Sequence, residues 1–291
     1  MNREPTFLFC VGATKAGTSW LYEHLYAHPE CRFRTIKELQ YFTMTETVHF
    51  DNALARGQAE IASLKDKAGD GWAARRLADL RAWQKVLRLR KVDLDAYRGF
   101  LTEGATDKRL VGDVTPAYAL MPEARLRGLS AVGADVRVVY LMRDPLARLW
   151  SHVRMIAARS GAADFAAACT GQLSRILSGD LAGEGQGIVA RGDYKAILPK
   201  LARAFDPAKL FVQFYEELLS LPGVARLSAF LGLTPAAAAL DRKVHAGKSL
   251  AFPAALKARA LAFLRPQYDY VASQYGGLPA QWQANMEEGF A

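Results

Sequence analysis

The apolar positions of the chain fall in short blocks separated by longer stretches of helical period. Residues 6–12 (TFLFCVG) form an unbroken run rich in aromatic and β-branched side chains. A run of that length, ended by glycine, predicts a buried strand. After a short loop, residues 18–27 (TSWLYEHLYA) predict a helix that Pro29 closes. Further strands are predicted over residues 109–113 (RLVGD), which end at a polar turn, over 136–142 (VRVVYLM), the strongest run, and over 210–215 (LFVQFY), with 216–219 at its end. Pro145 starts a helix through about Ala158, because proline needs no N–H partner in a first turn. Strands spaced among helices predict an α/β fold whose central, mostly parallel sheet is flanked by helices on both faces.

Residues 55–108 break the alternation. They are rich in Ala, Arg and Lys, with Leu77, Leu80, Trp83 and Leu87 at helical spacing and Trp72 just upstream. They predict a helical insertion packed beside the sheet, with Trp72, Trp83 and Tyr97 read as its core in preference to a stacking surface for a sugar or aromatic acceptor. Residues 162–187 hold small residues and several glycines, and the segment is expected to include a mobile loop. No repeat and no linker is evident, so residues 1–291 read as one domain.

Composition narrows the class. A 51% apolar content excludes a disordered or collagen-like chain. The net charge of +9 favours anionic partners: nucleotides, acidic or sulfated glycans, phosphorylated lipid headgroups or nucleic acid. Nucleic acid is disfavoured, because no recognition module accompanies the basic residues. The odd, sparse set Cys10, Cys31 and Cys169 points to a reducing compartment rather than a disulfide framework. No transmembrane segment and no signal peptide is expected, so the reading is cytoplasmic. Oligomeric state is left open.

Two segments carry chemistry. Gly12-Ala13-Thr14-Lys15-Ala16-Gly17-Thr18-Ser19 joins a predicted strand to a predicted helix. Amides in such a loop converge on an anion, and the helix N-terminus adds the positive end of its dipole. The glycines keep the spacing of the nucleotide-triphosphatase loop, but Lys15 precedes the second glycine and Thr18 takes the usual lysine place. The bland alternative is a glycine turn with no ligand. The second segment, Arg143-Asp144-Pro145 to Arg148 and Ser151, follows the strongest strand, where open α/β sheets bind ligands. Arg143 and Ser151 lie about two helical turns apart, a reach that suits one phosphate. The alternative here is an Arg143–Asp144 ion pair beside a surface serine.

Together, and in this order, the two segments resemble the sulfotransferases that use 3′-phosphoadenosine 5′-phosphosulfate (PAPS). The resemblance implies a three-layer P-loop-like fold and donor contacts from Thr14, Lys15, Ala16, Gly17, Thr18, Ser19 and Trp20 to the 5′-phosphosulfate. It implies 3′-phosphate contacts from Arg143 and Ser151. Lys37-Glu38-Leu39-Gln40-Tyr41-Phe42 is similar to the segment that carries the catalytic glutamate in heparan-sulfate-type and many bacterial carbohydrate sulfotransferases. Gly112-Asp113-Val114-Thr115-Pro116-Ala117-Tyr118 resembles a stretch lining the acceptor side, which implies Thr115, Pro116 and Tyr118 as substrate contacts with Lys37. Residues 214–218 (FYEEL) match a recurrent strand-end motif. Lys248 and Ser249 fall in a late loop that closes over PAPS. Where the glycan enzymes read lysine, glycine, arginine, this chain has Lys248, Ser249 and Leu250.

The implied reaction is transfer of a sulfuryl group from PAPS to a hydroxyl, with adenosine 3′,5′-bisphosphate as the product and no metal required. Glu38, in a partly dry cleft, is expected to take the hydroxyl proton. Lys15 is expected beside the leaving oxygen, where negative charge grows. Without the resemblance, Glu38 reads first as a surface carboxylate paired with Lys37. His24 and His28 have metal-site spacing but no evident third ligand. His152 reads as packing or a polar neighbour of Ser151, and His49 is an alternative base. The basic residues Arg75, Arg76, Arg81, Lys85, Arg88, Arg90 and Lys91 read as a solvated face or as a wall for an anionic acceptor. Their spacing does not put all seven on one face. The rivals are a P-loop kinase or nucleotide hydrolase, for which Asp113 would position magnesium, and a non-catalytic nucleotide-binding protein.

Overall fold

The computed structural model describes residues 4–64, 69, 71–236 and 247–290. Strands β1 (Thr6–Gly12), β2 (Cys31–Arg32), β3 (Leu110–Val114), β4 (Val136–Met142) and β5 (Leu210–Phe214) form one sheet in the order β2-β3-β1-β4-β5. Every neighbouring pair is parallel. β1 lies at the centre and is buried along its whole length. That is why its sequence is continuously apolar rather than alternating.

The helices, in chain order, are α1 (Thr18–Ala27), α2 (Thr47–Leu64), α3 (Trp72–Leu87), α4 (Leu94–Thr102), α5 (Glu123–Gly128), α6 (Pro145–Arg159), α7 (Phe165–Leu177), α8 (Glu184–Ala190), α9 (Tyr194–Ala204), α10 (Tyr215–Leu218), α11 (Leu221–Leu231), α12 (Ala254–Tyr275) and α13 (Ala280–Phe290). After β1 the chain runs through α1 to the β2 edge. After β4 it runs the other way, to β5. The loops leaving β1 and β4 therefore diverge, which opens a crevice at the carboxyl ends of these neighbouring strands. Their ends are tied together where the Ala13 N–H donates to Leu141 O at 2.7 Å.

The predicted insertion is present as α2, α3 and α4, and it begins earlier than its composition suggests, at Thr47. An aromatic cluster ties it to the sheet. Tyr41 stacks on Tyr97 at 5.0 Å, and Phe42 and Tyr97 both pack on Phe9 of β1. Trp83 and Phe100 meet at 4.8 Å. Such pairs add about 0.5–1.5 kcal/mol each beyond the area they bury. Trp83 and Tyr97 are core residues as expected, but Trp72 is 53% exposed at the start of α3. Residues 162–187, expected to include a mobile loop, are largely helical. α7 and α8 fill the segment, and Cys169, Leu173, Ile176 and Ile188 are buried.

Candidate active site

The loop from β1 to α1 is shaped by two left-handed residues. Lys15 has φ 71° and Gly17 φ 86°. A side chain at Gly17 would collide with the ring of Tyr215, so glycine is required there for space as well as for backbone. No side chain caps α1, and its first turn holds no acidic residue. Its leading amides and dipole are thus not neutralised by the protein's own side chains. Ala16, Thr18 and Trp20 are buried, and Thr14, Lys15, Gly17 and Ser19 are half-buried. Trp20 stacks on His24 at 5.1 Å.

Arg143 leaves the end of β4 and faces this loop. Its Nη1 donates to Lys15 O at 3.2 Å, and its guanidinium lies 5.4 Å from the centre of the Tyr215 ring. Tyr215 therefore supports both Gly17 and Arg143, a role that the sequence offered only as part of a strand-end motif. Tyr194 fixes the Arg143 backbone by donating to its carbonyl at 2.6 Å. The Arg143–Asp144 pair weighed from sequence does not form. Asp144 caps α6 through Ala147 N–H and accepts from Tyr268 OH and Asn285 Nδ2. The Asp144 N–H donates to Glu216 Oε1. Ser151 is half-buried on α6 and makes no hydrogen bond through its hydroxyl among the described residues. Arg148 is structural. It is buried, donates to Ile188 O, and fills the space beside Gly192.

The crevice is strongly and one-sidedly charged. Burial lowers the Lys15 pKa, and Arg143, Arg159, Arg154 and Lys37 lower it further. Lys15, Arg143, Arg154 and Arg159 form no ion pair among the described residues. Holding the half-buried Lys15, Arg143 and Arg154 near one another without a counter-charge among the described residues opposes folding, and a bound anion offsets that cost.

Across from the loop, residues 34–40 bring Lys37 and Glu38 over the end of β3. The Glu38 N–H donates to Val114 O, and Glu38 and Gln40 both have left-handed backbones, φ 60° and 53°. Lys37 Nζ lies 2.8 Å from Glu38 Oε1, and the Glu38 side chain is 46% exposed. The partly dry cleft expected around Glu38 is therefore not present, because the segment ends at the surface. Lys37 still acts electrostatically on Lys15, after burial and three arginines.

Asp113 anchors this segment from below. Its carboxylate accepts from Tyr97 OH (2.9 Å), Tyr118 OH (2.7 Å) and Thr115 Oγ1 (2.7 Å), and from the Leu39 N–H. Thr115 also accepts from Gln40 N–H. Thr115 and Tyr118 have no exposed surface and Pro116 is buried. The expected contacts of Thr115, Pro116 and Tyr118 with an acceptor are thus corrected. These residues hold Asp113, which in turn holds Leu39 beside Glu38. Their proximity to the site was legible, but their inward orientation depends on partners distant in sequence. A second brace comes from α3. Asp79 accepts from Thr35 N–H and Oγ1 at 2.7 Å and pairs with Arg34, and Arg76 donates to Thr35 O.

The late loop lies against α6. Trp150 Nε1 donates to Leu250 O at 2.8 Å, and Arg154 Nη1 to Lys248 O at 3.2 Å. Lys248 and Ser249 are exposed, and Lys248 Nζ lies 5.4 Å from the centre of the Phe165 ring. The histidines have other tasks. His28 Nδ1 accepts from Glu30 N–H, so its Nε2 donates to Thr234 O. His49 Nδ1 accepts from Thr45 N–H at the start of α2. Burial and Arg148 push the His152 pKa down to about 2, so it stays neutral. Arg75, Arg81 and Lys85 on α3, and Arg88 just past its end, are exposed and form no ion pair among the described residues. Arg76 pairs with Glu60, Arg90 with Asp51 and Lys91 with Asp93. A cavity of about 860 Å³ lies against Phe42, Met44 and Phe50, with Arg90, Lys91 and Arg125 in its lining. No described helix is long and apolar enough to cross a membrane.

Comparison with known proteins agrees with this geometry. The model of the sulfotransferase family matches residues 5–235. The structure resembles a sulfotransferase from Alicyclobacillus acidocaldarius, with a TM-score of 0.64 and 20% identity over 97% of this chain and 99% of that one. It also resembles the sulfotransferase domain of the Synechococcus PCC 7002 olefin synthase, with a TM-score of 0.52 and 18% identity over 96% of this chain and 97% of that one. No curated protein matches the sequence.

Proposed function

The chain belongs to the sulfotransferase family, and we propose that it moves a sulfuryl group from PAPS to a hydroxyl of a carbohydrate or glycoconjugate acceptor. The observation that carries this reading is the cluster of unpaired cations at the uncapped N-terminus of α1. It suits a ligand with several negative charges in separate groups, as a bisphosphorylated nucleotide has.

In this reading the amides of residues 13–19 and the side chains of Thr14, Lys15, Thr18 and Ser19 hold the 5′ end, with Ala16, Gly17 and Trp20 shaping the loop. Arg143 and Ser151 hold the 3′-phosphate, with Lys248 and Ser249 closing beside it. The bound donor supplies the sulfuryl group and leaves as adenosine 3′,5′-bisphosphate. Lys15 places its ammonium against the leaving oxygen and neutralises the charge that grows there, so the reading invokes no metal. Glu38 accepts the proton of the acceptor hydroxyl. Lys37, now bonded to Glu38, is released to the acceptor or to the sulfuryl oxygens. The three unpaired, buried thiols support a cytoplasmic setting.

The kinase reading is weakened at Asp113, whose oxygens already accept three hydroxyls and one amide. A thermal-shift comparison separates the readings. The transferase is expected to be stabilised by adenosine 3′,5′-bisphosphate without magnesium and little by ATP. Strong stabilisation by ATP with magnesium alone would favour the kinase. Glu38→Gln is expected to keep nucleotide binding and to lose about 10²–10⁴-fold in transfer rate. Binding without turnover across a broad acceptor panel would favour the non-catalytic protein.

A second reading of the acceptor has its own observation. The cavity at Phe42 combines apolar walls with Arg90, Lys91 and Arg125. That lining suits an alcohol with an apolar body and an acidic group. The exposed basic residues of α3 favour an anionic glycan instead. A screen with radiolabelled sulfonate donor over both acceptor classes decides between them.

A further inference from the structure

We propose that Arg154 is a phosphate ligand of the donor site, joining Arg143 and Ser151 on the 3′-phosphate while it holds the late loop in place. The inference rests on the donor reading above.

Arg154 lies one helical turn beyond Ser151 on α6, so the two side chains leave the same face. A guanidinium has an end, formed by its two Nη atoms, and a side edge, formed by Nε and the nearer Nη. In Arg154, Nη1 is committed to Lys248 O at 3.2 Å. Its Nε is buried and has no hydrogen-bond partner, and Nη2 has none among the described residues. One corner of the fork is therefore anchored to backbone, and the side edge formed by Nε and Nη2 is left without a partner among the described residues. That edge is the arrangement that binds two oxygens of one phosphate. Leaving a buried N–H unpaired costs free energy in the empty protein, which a bound oxygen removes.

The surroundings agree. Arg143 lowers the Arg154 pKa after burial does, and Arg154 in turn lowers that of Lys15, so the three cations share one field. The other titratable group acting on Arg154 among the described residues is the neutral Cys169 thiol, and no carboxylate among them answers it. The remaining α6 contact with the loop, Trp150 Nε1 to Leu250 O, carries no charge. Position 250 itself is leucine. Arg154 thus links donor binding to the placement of residues 248–250.

The test is a titration of wild type, Arg154→Met and Arg154→Lys with adenosine 3′,5′-bisphosphate and with adenosine 5′-phosphate. Each protein is checked for folding by its melting temperature. The ratio of the two dissociation constants removes any effect of a partly unfolded sample. Wild type is expected to prefer the bisphosphate. Arg154→Met should lose roughly 10–100-fold on the bisphosphate and less than about threefold on the 5′-phosphate. Arg154→Lys should recover part of the loss. Equal losses on both nucleotides would reduce Arg154 to a loop anchor and overturn the proposal, as would an unchanged ratio. A wild type that binds neither nucleotide would instead contradict the donor reading, and this proposal with it.

Discussion

Lys15 and Glu38 both have left-handed backbones, a conformation that costs a side-chain-bearing residue about 1–2 kcal/mol. Functional side chains persist in such strain only where surrounding contacts impose it. At Lys15 the contact is Arg143 on its carbonyl, and at Glu38 it is Val114 O on its amide. Glu38→Gly and Glu38→Ala both remove the carboxylate, but only glycine relaxes the backbone. The glycine variant should be the more stable of the two by about 1 kcal/mol in urea unfolding, and both should be inactive. Lys15 also sets a pH dependence. Its pKa in the empty protein is lowered by burial and by Arg143, and a bound anion raises it again. Affinity for adenosine 3′,5′-bisphosphate should therefore be level at lower pH. It should weaken by about tenfold per pH unit above the lowered value, a decline that begins below the ordinary lysine range. Lys15→Met should bind weakly with this decline absent.

The elements that build the site are legible in the sequence to different degrees. β1 and β4 are readable because buried parallel strands are nearly continuous apolar runs, and the loop and Arg143 follow from where those runs stop. What escaped were features made by contacts between distant segments. Tyr215 beneath Gly17, Arg154 against Lys248 and the inward turn of Thr115 and Tyr118 leave no local pattern. Asp113 illustrates the point. As sequence it ends a strand like a magnesium-holding aspartate, yet in the fold it is the anchor of the Glu38 segment. Asp113→Asn would turn an amide toward donors that need an acceptor, and should cost about 2–3 kcal/mol of stability. Because Leu39 is released, transfer should fall while the dissociation constant for adenosine 3′,5′-bisphosphate changes little. A parallel loss of nucleotide affinity would place Asp113 in the donor site instead.

At the scale of the whole molecule, the strand order explains why two segments far apart in sequence meet. β1 and β4 are neighbours whose loops leave in opposite directions, so the anion-binding loop and Arg143 face each other across one crevice. The segment with Glu38 reaches it from the β3 side, braced by Asp113 and by α3. The net charge of +9 is thus partly local, concentrated where an anionic ligand relieves it. A nucleotide at a hundredfold excess over its dissociation constant should add about 2.7 kcal/mol of stability. The most direct measurement is a crystal structure of the complex with adenosine 3′,5′-bisphosphate. The 5′-phosphate is expected on the amides of residues 13–19 beside Lys15, and the 3′-phosphate between Arg143 and Ser151, with the crevice open toward Glu38. A nucleotide bound elsewhere, or with its 3′-phosphate turned away from Arg143, would contradict it.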